Sequence, residues 1–189
     1  MKINFEYSLA YDMMLGEMVG NFNPASIENS RLYLDSVRSF WSKNEDKVIK
    51  EIEKVSRLKF KKAADCFIVN SMPYESLSHP FTIKIENNSD KLLAIFVHEL
   101  THILLVQNFK KVSSSINMID GDVNYRVHFP VLLIERKVLG KLNKSYKKQK
   151  RTEDLDYVWK DVNGVYNEFK SSNKGIADFL RKYVTSRQA

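Results

Sequence analysis

Along this chain the apolar residues change period several times, and each change marks an element. Residues 3–9 alternate, with Ile3, Phe5, Tyr7 and Leu9 on one side and Asn4, Glu6 and Ser8 on the other. That predicts a half-buried strand. Residues 10–19 fit neither period, and residues 20–24, with Gly20 and Pro24 at their ends, break the chain. A helix is predicted from Ser26, with Ile27, Leu32, Leu34, Val37, Phe40 and Trp41 as its apolar residues. A second runs from about Asn44 to Leu58, where Val48, Ile52, Val55 and Leu58 fall near a 3.6-residue period. Its other side is lysine and glutamate, which puts it on the surface.

The apolar run Cys66 to Val69 reads as a central strand, and residues 70–80, with Pro73 and Pro80, as loop. Phe81–Glu86 alternates again: Phe81, Ile83 and Ile85 face one way, Thr82, Lys84 and Glu86 the other. Asn87, Asn88, Ser89 and Asp90 then supply a turn, an N-cap and a negative charge at the start of a helix. That helix, Lys91 to Phe109, is apolar on almost every side and so belongs inside a domain. After it a polar loop is expected to about Asn124, then a helix over Val127–Leu142 that tolerates Pro130 only in its first turn. A lysine-rich break at Lys144–Arg151 precedes two closing helices, about Thr152–Lys170, weakened by Gly164, and Lys174–Thr185. The expected fold class is α+β, several helices around a small mixed sheet.

Three residues interrupt the apolar helix: His98, Glu99 and His102, in the string HELTH. Positions i and i+4 of a helix are neighbours about 5–6 Å apart at Cβ, so both imidazoles can face one ion with Glu99 beside them. HExxH on a helix is the zinc-hydrolase pattern, the glutamate serving as general base. The bland alternative is a pair of core histidines satisfied by hydrogen bonds. Two imidazoles and a carboxylate buried together are costly without a compensating partner, and a cation supplies one.

A catalytic zinc takes three protein ligands and keeps a fourth position open. Two candidates stand out for the third, His128 and Glu135, which share a face of the Val127–Leu142 helix with Val131, Leu132, Leu139 and Leu142. They lie roughly 10 Å apart along the axis, too far for both to bind one ion easily. His128 is favoured, because it sits at the helix entrance beside a loop and histidine is the commonest metal ligand. Glu135 could instead orient a ligand imidazole through its other nitrogen. His79, before Pro80 in a loop, reads as an ordinary surface residue.

Composition narrows the setting. With 189 residues the chain fits one domain, its metal-site core at about 64–142 and a helical extension at about 152–185. The single cysteine, Cys66, excludes an internal disulfide framework and suggests a reducing compartment. The first residues do not read as a secretory signal, and the longest apolar stretch is too short and too polar at its centre to span a bilayer. A cytoplasmic protein with no membrane partner is expected. The net charge of +7 gathers partly in Lys59, Lys61 and Lys62, and in Lys144, Lys147, Lys148, Lys150 and Arg151. Such runs are more often solvated loops than nucleic-acid surfaces, and no interleaved arginine–aromatic pattern accompanies them.

The HELTH string, preceded by an extended strand and followed by a helix carrying a third ligand, resembles the zincin superfamily of zinc metallopeptidases. It is also similar to small uncharacterised bacterial proteins that pair this motif with a later apolar helix bearing a histidine. The resemblance covers about Phe81–Leu142. It implies a zincin-like fold, Zn2+ held by His98 and His102, Glu99 as general base and proton shuttle, and a peptide or protein substrate lying along the Phe81–Glu86 strand. The metzincin extension is missing, since Leu105 and Asn108 stand where its glycine and last histidine belong. A non-catalytic zinc-binding interaction module is the rival expectation, and a metal-dependent nuclease a third, suggested only by the charge.

Overall fold

The structure is a computed structural model that describes residues 1–24, 26–142 and 155–188. It is a mixed α+β fold, with seven helices and one four-stranded mixed sheet among the described residues. Its residues form two compact units. One comprises Met1–Lys47 and Lys61–Glu99, the other Val48–Phe60 and the described residues from Leu100 onward.

The first unit holds β1 (Ile3–Tyr7), α1 (Leu9–Met18), β2 (Ala64–Val69), β3 (Ser76–Ser78) and β4 (Phe81–Lys84). It also holds the first part of α2 (Ser26–Ser56) and of α3 (Ser89–Gln107). The sheet order is β1-β2-β4-β3, parallel from β1 to β4, with β3 antiparallel to β4. Helices cover both faces. Register puts Phe5, Cys66 and Phe81 side by side, and on that face Phe96 of α3 meets Phe5 and Phe81 edge-on at 5.9 and 6.0 Å. Trp41 of α2 stacks on the same ring at 4.5 Å, so Phe96 is fully buried where both helices meet the sheet. The opposite face presents Phe67 and Thr82 to α1, where Tyr11 packs edge-on against Phe67 and shares a 3.1 Å hydrogen bond with Thr82.

Helix α1 begins where the alternation of β1 ends. Ser8 caps it by accepting from the Tyr11 N–H, so Leu9 is helical rather than the last strand residue. Asp12, fully buried, then ties the helix to the chain beyond β2, accepting from the N–H groups of Asn70 and Ser71 and from the Tyr7 hydroxyl.

Two expectations for this unit need correction. The two helices expected over 26–58 are a single 31-residue α2. The polar residues at the expected break do not end it, because Ser42 and Asn44 return their side chains to the carbonyls of Ser39 and Phe40. Residues 70–80 are not all loop, since Ser76–Ser78 form β3 and the prolines lie outside it, Pro80 in the turn to β4 across a cis His79–Pro80 bond. Strand β4 therefore has no open edge, being paired with β2 on one side and β3 on the other.

The second unit holds the ends of α2 and α3 with α4 (Phe109–Asn117), α5 (Val123–Lys141), α6 (Asp156–Ser171) and α7 (Ile176–Gln188). Residues 109–117, expected as loop, are helical, and α4 leaves α3 at a bend of 100°. The Asn108 side-chain amide donates to the carbonyls of Leu104 and Lys59 at the corner. Ser113, Ser114 and Ser115 are poor helix formers, and burial of Val112 and Ser115 outweighs that preference. Helix α5 starts four residues before the expected point, capped by Asp122, which accepts from the Tyr125 N–H. Pro130 thus lies inside α5, not in its first turn; Phe129 and Val131 through Ile134 are wholly buried around it, and that packing offsets a cost of about 3 kcal/mol. Gly164 does not split α6. Lys144–Arg151 and the expected helix start at Thr152 lie outside the described residues.

Aromatic rings fill this unit. Phe129 stacks on Tyr125 at 5.5 Å and on Tyr183 at 5.3 Å, while Phe169 and Phe179 meet at 4.9 Å. Lys137 lies against them, its ammonium 4.5 Å from the Phe169 ring and donating to the carbonyls of Phe169 and Ser172. Burial, then the charges of Lys141 and Arg57, pulls its pKa below the usual lysine range. No single helix among the described residues is long and apolar enough to cross a membrane.

Candidate metal centre

Helix α3 carries His98 and His102 one turn apart, as its i, i+4 spacing requires. Asn88 starts the helix by accepting from the N–H groups of Asp90 and Lys91, which sets the rotation that the apolar residues then lock. Leu100 and Leu104 are fully buried, while His98 and His102 are both half-buried. His128, in the second turn of α5, faces the His102 ring edge-on with centroids 4.9 Å apart. The ligand atoms of His98, His102 and His128 all lie within 4.8 Å of one another.

The His128 Nδ1 lies 2.9 Å from the Asn124 carbonyl. A carbonyl only accepts, so Nδ1 carries the proton and Nε2 the lone pair, the state in which a neutral imidazole binds a metal. Glu135, the other third-ligand candidate, is 1% exposed and lies outside the group of three close donors. His79 is exposed in the turn between β3 and β4.

The donor set fits a late first-row divalent ion such as zinc. Three imidazole nitrogens suit zinc over magnesium or calcium, which prefer oxygen. Nitrogens around one tetrahedral zinc sit about 3.4 Å apart, inside the 4.8 Å that bounds the three ligand atoms here.

Glu99 is 5% exposed, one residue from His98, and accepts a 2.6 Å hydrogen bond from the Ser76 hydroxyl of β3. Below it in the sheet is Cys66, whose thiol is pushed well above the ordinary cysteine range, first by burial and then by the charge of Glu99. Both effects favour the neutral thiol over the thiolate. Sequence reasoning missed Ser76, because a loop reading gave it no direction. The signal was a lone Leu77 between two serines, just ahead of an alternating strand.

No protein-family model, curated protein or solved structure matches the chain.

Proposed function

We propose that this chain is a zinc-dependent hydrolase of the zincin kind, acting on peptide bonds. The observation that carries the reading is the meeting of three imidazoles within 4.8 Å beside a carboxylate held by Ser76. His98, His102 and His128 would hold the ion, which when bound lowers the pKa of a coordinated water toward about 7 and polarises a carbonyl oxygen. Glu99 accepts the proton of the water that attacks the carbonyl carbon, then gives it to the leaving nitrogen as the C–N bond breaks. The products are a carboxylate and an amine, and the carboxylate of Glu99 is regenerated. Ser76 donates to Glu99 Oε1 and so helps fix the direction of the carboxylate.

The expected substrate path along Phe81–Glu86 changes, because that strand is paired on both sides. The end strand is β3, and an extended peptide adding to its outer edge by backbone hydrogen bonds runs past Ser76 and so past Glu99.

The test uses the purified full chain, elemental analysis for zinc, and a fluorescent unfolded protein such as labelled casein. Wild type takes up one zinc and cleaves. Glu99→Gln keeps the zinc and loses cleavage by about 10²–10⁴-fold. A wild type that takes up no zinc from excess overturns the reading. Zinc uptake without cleavage of casein or of a random peptide library moves the chain to a non-catalytic zinc module.

A further inference from the structure

His128 is held by more than its own helix. The first turn of α5 is gripped from α6 at two points. The Tyr157 hydroxyl donates to both oxygens of Asp122, at 3.2 and 3.3 Å, and Asp122 is the residue that caps α5. The Tyr125 hydroxyl donates to Asp161 at 2.8 Å, and its ring stacks on Phe129 and tilts against Tyr157 at 5.9 Å. Gly121 permits this closeness. At φ +139° it adopts a backbone conformation that side chains disfavour, and a Cβ there would stand 2.8 Å from the Tyr125 ring. Between the two grips lies Asn124, whose carbonyl accepts from His128 Nδ1. The two bonds from α6 thus fix the turn that fixes the imidazole.

We infer that Tyr157 and Asp161 are positioning residues for His128, acting through the capped first turn of α5. Neither is among the close donor atoms, and their effect is to keep one tautomer and one ring direction ready for an ion. Outer partners of this kind change metal affinity by about 10–100-fold in well-studied sites. The inference rests on the metal-centre reading for its consequence, and its geometric part can be tested without metal.

Two measurements separate these parts. In the metal-free protein, imidazole nitrogen NMR shifts report the His128 tautomer. Wild type shows a single Nδ1–H form, whereas Tyr157→Phe and Asp161→Ala show a mixture. In the second, zinc affinity is read by competition with a chromophoric chelator. The two variants bind about tenfold more weakly, and the double variant weaker still. Tyr166→Phe is the control, since its hydroxyl reaches the Arg136 carbonyl at 3.5 Å, elsewhere on the same helix pair. It keeps wild-type tautomer and zinc affinity even where its melting temperature falls as far. An unchanged tautomer in both variants, or a zinc loss that tracks melting temperature across all three, overturns the inference. A wild type with the single tautomer and no zinc uptake sinks the metal reading and leaves the positioning geometry standing as a purely structural device.

Discussion

The Ser76 hydroxyl donates to Glu99 Oε1 at 2.6 Å, joining the end strand of the sheet to the acidic residue of HELTH. A hydrogen bond to a charged group is worth about 1.5–3 kcal/mol. If Glu99 is the proton acceptor, Ser76→Ala lowers kcat by about tenfold and leaves zinc content at one per chain. Cleavage kinetics paired with elemental analysis check this. Loss of zinc together with activity assigns Ser76 to support of the whole site instead.

The third ligand is decided by a pair of variants. His128→Ala weakens zinc binding by about 100-fold or more, whereas Glu135→Gln changes it by less than about threefold. Glu135 is nearly wholly buried on α5, so its replacement registers in thermal unfolding. Chelator competition and melting curves on the same samples distinguish the two. The reverse pattern moves the ligand to Glu135.

Asp12 is the polar residue on which the α1 face of the sheet depends. Replacing it with alanine leaves the Asn70 and Ser71 N–H groups without their carboxylate acceptor at a buried position. Each buried donor so orphaned costs about 1–3 kcal/mol. Urea unfolding of Asp12→Ala should show a loss of about 2–4 kcal/mol at an unchanged slope.

The acid limit of stability has a visible contributor in Glu86. Burial raises its carboxyl, but the Lys91 ammonium at 2.9 Å and the Asn88 N–H at 2.7 Å outweigh that and hold it below the usual range. A depressed folded pKa stabilises above the unfolded value of about 4.3 and is lost as pH falls through the folded one. Lys91, raised by Glu75 and Glu86 against its own burial, contributes below about pH 10.4 and is lost as pH rises further. The pairs are partly exposed, so the effect stays below about 1 kcal/mol. Glu86→Gln should flatten the stability–pH curve below pH 5 and reduce its salt dependence.

What was legible in the sequence was whatever a period could carry. The alternation of Ile3, Phe5 and Tyr7, the run at Cys66–Val69 and the alternation at Phe81–Lys84 all became strands, and the apolar α3 became a buried helix with its histidines one turn apart. His128 was favoured for its place at a helix entrance beside a loop and for its imidazole, and its ligand atom lies within 4.8 Å of those of His98 and His102. The misreadings arose where hydrogen bonds or packing, not the apolar period, decide the element. Ser42 and Asn44 looked like a break and instead bond their own helix. Pro130 looked like a start and is carried by buried neighbours. The three residues of β3 have no period of their own, and they become a strand only by pairing with β4.

The chain's lone sulfhydryl, Cys66, is wholly buried in the middle of the sheet, under Glu99. A thiol reagent therefore reaches it only when β2 becomes exposed, and the rate of labelling becomes a clock for that opening. With nothing else in the molecule to label, the wild-type sequence carries its own stability gauge. Run with and without zinc, the same clock reads whether an ion at the histidines slows that opening.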